Sequence, residues 1–234
     1  MSGPAWIDFW DAQHALGRSH FDWTARVFME RASTVLAIRE SDIVLDFGCG
    51  PGSLALLLRE RVAEVTCVET SRRMVAECRA RFAGRPGLSA HLIPRDRNAD
   101  LSRIPGGPFT LILCQSVAQY FEDRDELERV IGSVRVVAAP GARMLVSDLP
   151  AGDSFLPSLA TQALEGLRCR RPGLRLDHAL CLAGGYRRIR SARGLRLYPA
   201  ADLLALAGRL GLDAEVIHDR LTVNGGRLHL LVRF

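Results

Sequence analysis

Apolar residues recur along this chain in two alternating rhythms. Over residues 5–38, Trp6, Phe9, Trp10, Leu16, Val27, Phe28, Val35 and Leu36 fall at near-helical spacing, which predicts one or two amphipathic helices. The run Ile43-Val44-Leu45-Asp46-Phe47 then predicts a short buried strand, followed by a helix over Ser53–Val62. Glu64–Glu69 reads as a second strand. Ser71 is placed to cap a helix whose buried stripe is Met74, Val75, Cys78 and Phe82, with Gly84 as its stop.

The alternation continues with strands over Leu88–Ile93, Thr110–Cys114 and Arg143–Ser147. Between the last two, Leu127, Val130, Ile131, Val134 and Val137 mark a helix over Asp125–Ala138, ended by Pro140-Gly141. Residues 151–197 break the rhythm and look like an insert. The tail resumes with a helix over Ala200–Leu210 and strands over Ala214–His218 and Arg227–Phe234. Asn224-Gly225-Gly226 between those strands signals an antiparallel hairpin. Strand–helix alternation of this kind predicts an α/β fold with a mainly parallel sheet.

Composition narrows the class. The 234 residues, 48% hydrophobic and 24% charged, suit one compact domain with a modest insert and exclude a disordered or collagenous chain. No apolar run reaches the roughly 20 residues that span a bilayer, and the N-terminus lacks a basic-then-apolar leader, so the expected location is cytoplasmic. The six cysteines show no metal-ligand spacing, and no metal site is expected. The net charge of +5 comes entirely from arginine, because the chain has no lysine.

The informative stretch is Val44-Leu45-Asp46-Phe47-Gly48-Cys49-Gly50-Pro51-Gly52, at a strand-to-helix turn. Glycines there let a ligand approach the main chain closely. Glu69 closes the next strand, where an acid accepts two hydrogen bonds from the vicinal hydroxyls of a ribose. The third glycine is at 52 rather than 53, which departs from the dinucleotide fingerprint. A carboxylate at Asp46 would repel a pyrophosphate. A ligand with an ammonium, a ribose and no phosphate fits both acids.

This combination, with Val68-Glu69-Thr70-Ser71 at the second strand end, resembles the class I S-adenosylmethionine-dependent methyltransferases of small molecules. The resemblance covers roughly residues 40–150 and returns over the tail. It implies a Rossmann-like three-layer sandwich around a seven-stranded, mainly parallel sheet with an antiparallel last strand. The implied division is a helical lid (1–40), a cofactor-binding core (41–150), a substrate-capping insert (151–197) and the C-terminal part of the sheet (198–234). Gly48 and Gly50 would pass beneath the methionine part of S-adenosylmethionine, with Gly52 leading into the helix. Asp46 would orient the ammonium and Glu69 would bind both ribose hydroxyls. Thr70 and Met74 would line the adenine pocket, although Met74 serves equally as core of its own helix. Asp96 would accept from the adenine amine with Arg97 beside it, or pair with a neighbouring arginine. Gln115 would contact the amino-acid end.

Methyl transfer to an acceptor is an in-line displacement, so positioning matters more than a catalytic dyad. On the substrate side the candidates are His20, Gln119 and Tyr120, with His14, Phe21 and Trp23 nearby in sequence. The fourth strand ends in Cys114-Gln115-Ser116-Val117, without the Asn/Asp-Pro-Pro-aromatic motif of base-amine methylation. Metal-independent transfer to a small metabolite is therefore expected. Between 168 and 196, nine arginines face a single acid, Asp177. That imbalance suits an anionic substrate or an acidic carrier protein delivering it. Two other readings stay open: methylation of RNA or protein, and a non-catalytic cofactor-binding protein. No nucleic-acid or membrane partner is expected.

Overall fold

The computed structural model describes residues 6–12, 18–93, 100–152, 160–162, 164 and 185–234. Its core is a seven-stranded sheet in the order β3-β2-β1-β4-β5-β7-β6. The strands are β1 (Ile43–Phe47), β2 (Glu64–Glu69), β3 (Leu88–Leu92), β4 (Phe109–Gln115), β5 (Ala138–Pro150), β6 (Asp213–Ile217) and β7 (Arg227–Arg233). β1 to β5 pair in parallel, while β7 runs antiparallel between β5 and β6.

Helices cover both faces, which is why the central strands are apolar at nearly every position rather than alternately. The helices are α1 (Trp6–Ala12), α2 (Arg18–Leu36), α3 (Ser53–Leu58), α4 (Arg72–Phe82), α5 (Asp125–Val137), α6 (Gly185–Arg193) and α7 (Ala200–Arg209). On one face Val44, Leu111, Leu113 and Leu145 pack with α2, α3 and α4. Their chain neighbours Leu45, Ile112, Met144 and Val146 point the other way, onto α5 and α7. The result is the expected three-layer sandwich. Among the described residues no helix is long and apolar enough to cross a membrane.

Three local expectations are corrected. α5 stops at Val137, because Ala138 already pairs with Phe109; Pro140-Gly141 lies inside β5. α3 ends at Leu58 rather than Val62, and the chain turns through 59–63 into β2. β6 and β7 are antiparallel neighbours, but the loop 218–226 joins them, and Asn224 is committed elsewhere.

At the N-terminal edge of the sheet, Arg143 of β5 reaches the buried Asp42, with Nη2 donating to Oδ2 at 2.6 Å. Arg143 also donates to the carbonyl of Ala37 at 2.9 Å, beyond the C-terminus of α2. Asp42 further accepts from the Arg39 amide and the Thr110 hydroxyl, each at 2.8 Å. Burial alone would raise the Asp42 pKa. The hydrogen bonds from Arg143, Arg39 and Thr110, together with the Arg143 charge, outweigh it and hold the carboxyl below its usual range.

Removing one partner of such a buried pair strands the other charge. Arg143→Met is expected to cost about 3–5 kcal/mol in denaturant unfolding. A depressed native pKa makes the Asp42 contribution full above its unfolded value, and it is lost as pH falls through the native value. Acid titration of stability should therefore be shallower in Asp42→Asn than in the wild type. Equal slopes would contradict the role given to this pair.

Candidate functional site

Strand order reverses between β1 and β4, and ligands in open α/β sheets bind in the crevice at the carboxyl ends beside such a reversal. The glycine loop lies there, directly after β1. Gly48 (φ +71°) donates its N–H to the Val68 carbonyl at 2.8 Å. A Cβ on Gly48 would lie 2.4 Å from Cγ2 of Val117, so the segment after β4 sits against the loop. Gly50 (φ +55°) faces Phe21 and the Met74 sulfur, each 3.6 Å from where a Cβ would be. Gly52 instead admits Phe82 of α4, whose Cζ would be 2.7 Å from a Cβ.

Glu69 braces this loop from β2. Its Oε2 accepts from Gly50 N at 3.0 Å, and its Oε1 accepts from Thr70 N at 2.7 Å and Ser71 N at 3.0 Å. The Thr70 hydroxyl donates to the same Oε1 at 3.2 Å. An ionised carboxylate oxygen has about two lone-pair sites. Oε2 therefore keeps capacity for a further donor, and the longer Thr70 hydroxyl contact is the one a second donor would displace. Ser71 caps α4 by accepting from Met74 N at 3.2 Å, and Met74 is buried beneath the loop.

Asp46 is the electrostatic anomaly. It is 2% exposed, and its Oδ2 has no hydrogen-bond partner among the described residues. Burial, with the Glu69 charge adding to it, pushes its carboxyl up to about 7. A buried carboxylate without a donor is costly unless a cation meets it. The sulfonium and ammonium of S-adenosylmethionine are such cations, and Glu69, with capacity left on Oε2, would be the acid to meet its ribose. The residues present fit that cofactor.

Other placements complete the site. Gln115 ends β4 and is half-buried. Tyr120 lies on the 3₁₀ turn Ala118–Tyr120 after β4, with Trp6 at 4.7 Å and Trp10 at 5.5 Å between ring centroids. Its hydroxyl is 3.4 Å from that of Tyr186 on α6. Burial, chiefly, and the Tyr186 hydroxyl hold the Tyr120 phenol protonated far above its usual range. His20 meets Phe21 and Trp23 edge-on at 6.2 and 6.0 Å. Gln119 is buried, with its amide oxygen accepting from Arg227 and its amide nitrogen donating to the Ser116 carbonyl. Asp96, Arg97 and His14 lie outside the described residues.

Several contacts could not be read from the chain. Asp11 of α1 accepts from the Ser71 hydroxyl at 2.9 Å, tying the first helix to α4. Arg81 joins the loop to α2: it donates to the Pro51 carbonyl at 2.8 Å and to Asp22 at 2.8 Å. Asp148 and Arg227 form a buried pair beside Gln119. Nothing in local periodicity separates these residues from ordinary surface or strand positions. Only the glycine loop and the acid spacing carried a signal.

Residues 44–141 match a family described as a methyltransferase domain. Malonyl-[acyl-carrier protein] O-methyltransferase of Salmonella typhimurium is 29% identical over 218 residues, covering 88% of this chain and 80% of that protein. Demethylmenaquinone methyltransferase of Thermus thermophilus is 32% identical over 109 residues, and the chain spans about half of it (47%). Magnesium protoporphyrin IX methyltransferase from Synechocystis, with bound cofactor, shares the fold at a TM-score of 0.59 and 15% identity, covering 100% of this chain and 99% of that one. Sheet order, glycine loop and domain match together define a class I S-adenosylmethionine-dependent methyltransferase. The chain is an enzyme of that class, and S-adenosylmethionine is its cofactor.

Because the Asp46 pKa is raised to about 7, a bound cation must displace a proton below that pH. Cofactor affinity should fall about tenfold between about pH 8 and pH 6, following one competing proton. Asp46→Asn should bind more weakly and lose this pH dependence. Calorimetric titration across that range checks both, and a flat wild-type profile would contradict the assignment.

Proposed function

We propose that this methyltransferase esterifies the carboxylate of a small acyl group presented on an acidic carrier protein. The observation that carries the reading is the similarity, over 88% of the chain, to an enzyme named for O-methylation of a malonyl carrier protein. The chemistry of the acceptor side supports it. Tyr120 stays protonated, so it serves as a donor and not as a base. A carboxylate is already ionised at neutral pH and needs no base to become a nucleophile.

Bound S-adenosylmethionine supplies a methyl group activated on a sulfonium. Asp46 meets positive charge, Glu69 grips the ribose and holds Gly50 in place, and Met74 with Thr70 closes the adenine side. Gln115 stands at the amino-acid end. Tyr120 donates a hydrogen bond to the oxygen of the acceptor that does not attack. Holding the two reactants in line in this way supplies roughly 7–11 kcal/mol of the barrier reduction. Trp6, Phe9, Trp10 and Tyr186 exclude water above it. His20 borders this wall through Phe21 and Trp23.

Carrier delivery draws on charge. α6 turns Tyr186 toward the aromatic wall, 5.5 Å from Trp6, while Arg188 and Arg193 are exposed. Trp6 also donates to the Gly194 carbonyl at 3.2 Å, so the arginine-bearing helix and the wall are one assembly. An acidic carrier docking on this face would place its acyl arm at Tyr120. Mass spectrometry of malonyl carrier protein incubated with enzyme and cofactor should show one added methyl. Arg187→Gln with Arg188→Gln should raise the carrier KM about tenfold at low salt and leave kcat unchanged. An unmodified carrier, or a KM insensitive to both substitutions and salt, would overturn the reading.

A further inference from the structure

A buried polar network lies at the carboxyl ends of β4 and β5, beside the cofactor loop. β5 and β7 lose register there: Val146 pairs with Leu230 and Leu149 with Leu228, so two residues of β5 oppose His229 alone. The extra residue bulges, and Asp148 takes a left-handed conformation with φ +67°. Across from it, Ser116 is also left-handed, at φ +58°. Neither is glycine, so each of these backbones is strained.

Side chains hold this strain in place. Asp148 is 1% exposed and accepts from the Ser116 hydroxyl at 2.8 Å, the Thr222 hydroxyl at 3.0 Å and the Asn224 amide at 2.8 Å. The Nε of Arg227 lies 3.6 Å from its Oδ1. Arg227 is itself 7% exposed and donates from Nη1 to the Gln119 amide oxygen at 2.9 Å. Gln119 passes the restraint to the Ser116 carbonyl at 3.2 Å. The segment 116–120 is therefore held at both ends by one buried ion pair. It carries Val117, which abuts Gly48, and Tyr120, which faces the aromatic wall.

We propose that Asp148 and Arg227 are positioning residues for methyl transfer, acting through Ser116 and Gln119 to fix Tyr120 relative to the cofactor loop. The inference rests on the reading of Tyr120 as the acceptor-side donor. It also accounts for Gln119, whose amide is spent inside the protein. A purely structural pair would need neither the two left-handed residues nor a link to that turn.

The deciding variant is Gln119→Leu, which cuts the link and leaves the Asp148–Arg227 pair intact. With malonyl carrier protein as acceptor, kcat should fall at least about tenfold, while the dissociation constant of S-adenosylhomocysteine stays within about twofold; the melting temperature should drop, because Arg227 Nη1 loses its acceptor, yet stay well above the assay temperature. Arg227→Gln should lose as much kcat as Gln119→Leu, the double variant should lose no more than either, and Arg227→Lys should recover part of it. Hydrogen exchange at the amides of 116–120, measured in the cofactor-product complex without acceptor, should speed up in both single variants and stay unchanged in α4. Wild-type kcat in Gln119→Leu, or unchanged exchange across 116–120, overturns the proposal. A wild-type enzyme inactive on malonyl carrier protein counts against the acceptor instead, and the exchange result then decides the network alone.

Discussion

One unpartnered carboxylate organises this enzyme. Asp46 stands near the carboxyl end of β1, almost wholly buried, with an oxygen that no donor among the described residues reaches. Such a group is unfavourable in the cofactor-free chain and becomes favourable when a cation arrives. Either a proton or a bound cation relieves it, and the two compete. The loop beyond turns away through left-handed glycines, and Glu69 spends its oxygens on backbone amides of the loop and of the α4 entry. Protein hydrogen bonds thus brace the loop and the entry to α4, which favours binding energy going into alignment rather than into ordering the loop.

The proposed acceptor half is made differently. Its wall comes from α1, α6 and the turn after β4, elements far apart in the chain that meet through ring contacts. Phe21 links the halves, lying over Gly50 and 6.4 Å from Trp10. Aromatic contacts tolerate repacking more readily than hydrogen-bonded loops do. Under the proposed reading the wall sets the acceptor, the glycine loop holds the cofactor, and the buried Asp148–Arg227 pair ties the turn carrying Tyr120 in place between them.

The sequence exposed the parts of this design that obey local rules. Strand and helix periods gave the layers, and Ser71 was legible as a cap because capping is set by the next three residues. Asp46 and Glu69 were legible as candidates because both fall within the last two residues of a parallel strand, at the carboxyl edge of the sheet. Gln119 is buried and accepts from Arg227, more than a hundred residues later, and no period encodes that pairing. Asn224 looked like a turn former and is instead a donor to Asp148. Pro140-Gly141 looked like a helix stop, yet pairing of Ala138 with Phe109 ends the helix first. Long-range pairing decided each of these cases over local propensity.

The most direct test is a crystal structure grown with S-adenosylhomocysteine. The account requires the ligand amine to donate to Asp46 Oδ2, directly or through one water, and the ribose hydroxyls to meet Glu69. A nucleoside bound elsewhere, or an Asp46 oxygen still without a donor in the complex, would contradict it.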